Sequence, residues 1–127
     1  MKSKIYTLIL DENLIGTTEL EKADAPMGIV FGKINFINIK SGYNFFKEYC
    51  EKNRVEFDFY PEDKLILTRY IPNLKIVNEE KIEIIGTGNC INGMDNDIYE
   101  INIEGILYPF YEKEFPKHVE EYKNQFS

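Results

Sequence analysis

Apolar and polar residues alternate along most of this chain, and two segments break the alternation with helical spacing. Alternation of period two marks a half-buried strand, and recurrence at three and four marks an amphipathic helix. Strands are predicted over 4–10 and 14–20, joined by a hairpin loop at Asp11-Glu12-Asn13. Thr17 and Thr18 suit the pleated surface of the second. Residues 21–28 read as a loop, closed by Pro26-Met27-Gly28, where proline presets a turn and glycine frees the backbone. A third strand is predicted over 29–36, bent at Gly32.

Ser41 then opens a helix, its hydroxyl free to accept from the first-turn N–H groups. Phe45, Phe46, Tyr49 and Cys50 form its apolar stripe. Glu48 and Lys52 are spaced for an i,i+4 pair, and Asn53 is the expected stop. Period two resumes with Val55, Phe57 and Phe59, and Pro61-Glu62-Asp63 makes a turn. Further strands are predicted over 64–71 and 74–77. Residues 81–86 and 97–105 are expected to pair, with 87–96 as an Asn/Gly-rich connection. Pro116 suits a first helical turn, and Phe115, Val119, Tyr122 and Phe126 follow at spacings of four, three and four.

Strands and helices do not alternate in this order, which excludes a doubly wound parallel sheet. The expected fold class is α+β. It is a single domain over 1–127: a curved, mainly antiparallel sheet of about six to eight strands covered by two amphipathic helices, at about 41–52 and 116–126.

Composition fits that picture. A chain of 127 residues buries roughly two thirds of its unfolded surface, enough for one core. Apolar residues make up 43%, which argues against disorder. The 18 Ile, 12 Asn and 13 Lys against 2 Arg reflect an AT-rich coding sequence, so some of these residues answer to codon supply and not to need. The apolar run after Lys2 and Lys4 ends at Asp11-Glu12 without a small-residue cleavage site, so it reads as a strand and not a signal peptide. No run approaches the ~20 apolar residues of a membrane helix. Cys50 and Cys90 do not make a disulfide framework and suit a reducing cytoplasm.

Candidate chemistry is sparse. His118 is the one histidine, and the cysteines lie forty residues apart, so no Cys/His zinc spacing exists. Asp95-Asn96-Asp97 offers oxygens, but without the glycine and distal glutamate of an EF-hand it reads as a turn. Gly86-Thr87-Gly88 lacks the Lys and Ser/Thr of a phosphate loop, so the glycines serve a bulge or a long hairpin. Cys90 sits in the predicted glycine-rich loop, and only His118 could activate it. Cys50 reads as core. No catalytic residue, metal or cofactor is assigned, and the expectation is a protein that is not an enzyme.

Charge changes the picture more. The net charge is -7, which excludes a nucleic-acid binder because phosphate binding needs a cationic face. Residues 1–60 carry 8 basic and 9 acidic side chains, whereas 61–127 carry 7 and 13. An acidic, aromatic-bearing face steers and binds a basic protein partner. The candidate contacts are Glu62, Asp63, Asp95 and Asp97 in turns, and Glu100 and Glu104 on the polar face of the 97–105 strand. The rival is a small-molecule binder with a pocket lined by Phe31, Phe57, Phe59 and Tyr99.

In size, acidity and lack of catalytic motifs the chain resembles the small acidic bacterial immunity proteins of toxin systems. The segment from Gly105 to Glu112, followed by Phe115-Pro116-Lys117-His118-Val119, has the look of a family motif with no function attached. The resemblance implies a mixed β/α module that binds and blocks a cognate toxin, often a basic nuclease. It transfers no site residue.

Overall fold

The computed structural model describes residues 4–125. In chain order the strands are β1 (Tyr6–Leu10), β2 (Asn13–Thr18), β3 (Lys22–Asp24) and β4 (Ile29–Phe36), then β5 (Phe57–Tyr60), β6 (Leu65–Thr68), β7 (Leu74–Val77), β8 (Gly88–Met94) and β9 (Tyr99–Glu104). The helices are α1 (Gly42–Asn53), between β4 and β5, then α2 (Phe110–Glu114) and α3 (Pro116–Asn124) after β9. The strands join in one sheet of order β5-β6-β8-β9-β4-β2-β1-β7, with β3 beside β4, and every pairing is antiparallel. The α+β class with an antiparallel sheet stands.

Alternation sets the two faces of the sheet. Tyr6, Leu8 and Leu10 of β1, Val30 and Ile34 of β4, and Ile101 and Ile103 of β9 are buried on the inner face, with Ile66 and Ile91. Onto it packs α1, through Tyr43, Phe46 and Cys50. The buried stripe is therefore Tyr43, Phe46 and Cys50, while Phe45 and Tyr49 sit half-buried at its margin. Ser41 caps α1 as expected, accepting from the Asn44 N–H at 3.1 Å. Asn53 is the last helical residue, and Arg54 takes the left-handed capping conformation. The ion pair along α1 is Lys47–Glu51 at 3.3 Å, in place of Glu48–Lys52.

Three expectations need correction. Residues 87–96 are not a connection: β8 runs through them and sits between β6 and β9. Asparagine and glycine are poor strand formers alone, but pairing on both sides overrides propensity. The Asn89 amide replaces missing ladder bonds, accepting from the Ile71 N–H at 3.0 Å and donating to its carbonyl at 3.1 Å. Residues 81–86 do not pair with β9. They fold back on β7, with one bridge from Glu83 to Val77 and Asn78 accepting from the Ile82 N–H. Residues 21–28 are more than a loop, since they hold β3 and a 3-10 turn over Ala25–Met27.

The C-terminal helix was expected to bury its whole stripe. Phe115 and Val119 are buried, Tyr122 is 38% exposed, and Phe126 lies outside the described residues. The short helix α2 was not anticipated. Its Glu114 is a buried carboxylate that accepts from the Tyr6 hydroxyl at 2.8 Å and from the Asn78 amide at 2.9 Å. Burial, then this carboxylate, pushes the Tyr6 hydroxyl pKa far up, so it stays a donor. One side chain thereby ties the C-terminal helices to β1 and to the segment after β7. Among the described residues, no helix is long and apolar enough to cross a membrane.

Phe46 is fully buried, so Phe46→Ala should cost ~3–5 kcal/mol in denaturant melts. Tyr122→Ala, at the exposed side of α3, should cost less than half as much. Equal losses would show that the α3 face is packed as tightly as α1.

Candidate functional site

The register of the sheet brings distant turns to one edge. β1 and β2 reverse at Asp11-Glu12, since Leu10 faces Asn13. β2 runs beside β4, with Gly16 opposite Phe36, so β4 ends at this edge. Lys33 faces Glu100, which puts the start of β9 there too. Gly93 faces Tyr99, Leu65 faces Met94, and Tyr60 faces Leu65. The turns at 61–64 and 95–98 therefore join the turn at 11–12 along the same rim. With strands about 4.8 Å apart, the three turns are spaced roughly 10 and 14 Å along it.

Five exposed carboxylates follow: Asp11, Glu12, Glu62, Asp63 and Asp97. Lys64 and Lys40 are the exposed cations in the same turns and in the stretch leading to α1. The spacing of the turns is close to the Debye length of about 10 Å at 0.1 M salt, so their fields overlap. Beside the rim, the outer face of the sheet carries Tyr60, Leu65 and Met94 in register across three strands. Tyr60 is 52% exposed, Leu67 38%, and Ile98, just before β9, 43%. An apolar patch thus borders the acidic edge.

The six carboxylates expected from sequence divide into three groups. Glu62, Asp63 and Asp97 lie exposed on the rim. Asp95 lies there as well, but its carboxylate is committed inward: it accepts from the Ser41 hydroxyl, from the Tyr43 N–H at 3.2 Å and from the Tyr99 hydroxyl at 2.7 Å. Burial alone would raise the Asp95 pKa. The bonds from Ser41, Tyr99 and Tyr43 outweigh it and hold the carboxyl below its usual value. Asp95 is therefore a fastening between the β8–β9 turn and the start of α1, not a free contact. The fit is close enough that a side chain at Gly42 would place its Cβ 2.6 Å from the Tyr99 ring.

Glu100 is on the outer face and pairs with Lys22 at 3.4 Å. Glu104 ends β9 at the opposite edge of the sheet, opposite Gly88. These two do not share a site with the turns. Asp11 and Glu12 were missed because the charge count by halves favoured the second half. Their only signal was a hairpin turn whose edge of the sheet depends on strand order.

The nucleophile reading fares differently. Cys90 lies within β8, half-buried, and not in a loop. Burial, then Glu104, raises its thiol pKa, which disfavours the thiolate. His118 is engaged elsewhere, with Nε2 2.8 Å from the Leu20 carbonyl. Burial pushes the Cys50 thiol up to about 11. Among the described residues, no group of three His, Cys, Asp or Glu side chains could hold a metal ion. Of the rings expected to line a pocket, Tyr99 is buried, Phe57 packs against Phe59, and Phe31 borders a groove beside α3. They do not form one pocket. Comparison with protein-family models, with curated proteins and with solved structures finds no match to this chain.

The Asp95 bonds require the ionised form. Their contribution is full above the ordinary carboxylate range, near pH 4, and is lost as pH falls through the lower folded value. Asp95→Asn should cost ~1–2 kcal/mol at pH 7, the scale of a helix-capping loss. The gap between variant and parent should close below about pH 4. A gap constant with pH would remove the carboxylate from this role.

Proposed function

We propose that this chain is a non-catalytic protein-binding module that takes a basic partner on the acidic rim. The observation that carries the reading is the collection of Asp11, Glu12, Glu62, Asp63 and Asp97 on one sheet edge, beside the exposed Tyr60, Leu67 and Ile98. An apolar centre supplies binding energy once water is expelled, and a charged border supplies steering and register. The rim spans about 24 Å, close to the breadth of a standard interface of about 800 Å² per partner. A cationic protein with an apolar patch inside its basic surface is the complementary shape. A toxin held by an immunity protein, in the cytoplasm of a bacterium, fits that chemistry and the resemblance in size and charge.

Pull-down from the source cells, followed by binding kinetics across ionic strength, tests the reading. The on-rate should fall about tenfold or more between 0.1 M and 1 M salt, as the Debye length shrinks to about 3 Å. Glu62→Lys with Asp97→Lys should slow association by a similar factor, while Glu104→Lys at the far edge should leave it within about twofold. An on-rate indifferent to salt and to the rim reversals would remove the rim from the interface.

A further inference from the structure

At the β1–β2 end of the same edge, the hairpin turn, the stretch after β4 and the margin of α1 enclose a groove of about 350 Å³. Leu14, Ile37, Ile39, Phe45 and Tyr49 form its apolar walls, and Asp11 stands among them. Such a volume holds one small ring or branched chain, at the lower end of ligand pockets. Leu14 is half-exposed and the other walls are part-buried, so a guest would remove apolar surface from water.

The charge of the groove is one-sided. Asp11 is its one charged lining residue, and among the described residues no lysine or arginine lines it. Asn13 and Asn38 add neutral polar groups. The Tyr49 hydroxyl lies close enough to Asp11 for its pKa to be raised, first by burial and then by that carboxylate. The turn itself is unusual in composition. Asp11 and Glu12 both have positive φ, 48° and 70°, in a two-residue hairpin where Asn-Gly and Asp-Gly are the low-strain choices, so Glu12 is the unusual residue. Aspartate suits the first position of such a turn, and there its carboxylate puts negative charge at the mouth of an apolar groove.

We infer that this groove binds a small amphiphilic amine, with its apolar body against Leu14, Ile37, Ile39 and Phe45 and its ammonium group on Asp11. The rings of Phe45 and Tyr49 add faces that attract a cation. A carboxylate of the same shape would meet Asp11 and no counter-charge. The inference shares Asp11 with the protein-partner reading but does not rest on it, and its failure would leave that reading standing on the other rim acids.

The probes are 2-phenylethylamine and 3-phenylpropionate, matched in size and opposite in charge, titrated into the full chain and followed by amide chemical shifts. The amine should move the amides of residues 10–15 and 37–39 and bind about tenfold tighter than the acid. Asp11→Asn should lose that preference, and its fold should persist because asparagine suits a left-handed turn position. Glu62→Gln, at a distant turn of the rim, should keep the preference. Equal binding of the two probes, amine shifts centred on 61–64 or 95–98, no shift with either probe, or a preference that survives Asp11→Asn would each overturn the inference.

Discussion

The bonding of Asp95 holds together the part of this protein that faces outward. A carboxylate from the β8–β9 turn takes the Ser41 hydroxyl, the Tyr43 N–H and the Tyr99 hydroxyl at once. Two of those donors belong to the start of α1, where first-turn N–H groups have no intrahelical partner. Ser41 satisfies one of them and Asp95 another, and the negative charge is favoured by the helix dipole. The same contact seats Gly42 on Tyr99 and Tyr99 on Phe36, so helix and sheet edge are fixed by one polar knot in an apolar setting.

That knot determines which carboxylates are available. Asp95 is consumed in holding the edge, and Glu100 is paired across the sheet with Lys22. The exposed acids of the turns remain: Asp11, Glu12, Glu62, Asp63 and Asp97 stand at reversals that leave them open to solvent. Their alignment is a consequence of an all-antiparallel sheet, in which successive reversals fall at two edges only. The rim gathers three of them, and the outer-face residues Tyr60, exposed, and Leu65 and Met94, half-buried, lie next to it. Charge and apolar surface are thereby adjacent, within the segments Tyr60–Asp63 and Asp97–Ile98 and across the strands that bring those segments together.

A second polar clamp works at the opposite end of the fold. Glu114 joins Tyr6 and Asn78, residues separated from it by 108 and 36 positions. A buried carboxylate without donors would be costly, and here both oxygens have partners. The aromatic contacts of Tyr6, Tyr111 and Phe115 surround it. The two clamps differ in purpose: Glu114 closes the core beneath the C-terminal helices, and Asp95 presents the edge.

Local pattern was enough for much of the fold. Alternation in 4–10, 29–36 and 97–105, the Ser41 cap and the Pro116 start are short-range signals, and each gave its element within a few residues. The class followed from their order. The short-range signal failed at β8, where Asn89, Asn92 and Gly93 form a central strand because neighbours on both sides supply hydrogen bonds that propensity does not record. It failed again at 81–86, an apolar run that alternates but turns back onto β7. The candidate site was half legible: Glu62, Asp63 and Asp97 could be placed in turns from the sequence, since turn residues declare themselves locally. That Asp95 is spent on α1, that Glu104 lies at the far edge, and that Asp11 and Glu12 join the rim were decided by strand order and register alone. Those are set by side chains meeting across a hundred residues of chain, and no window of sequence contains such a meeting.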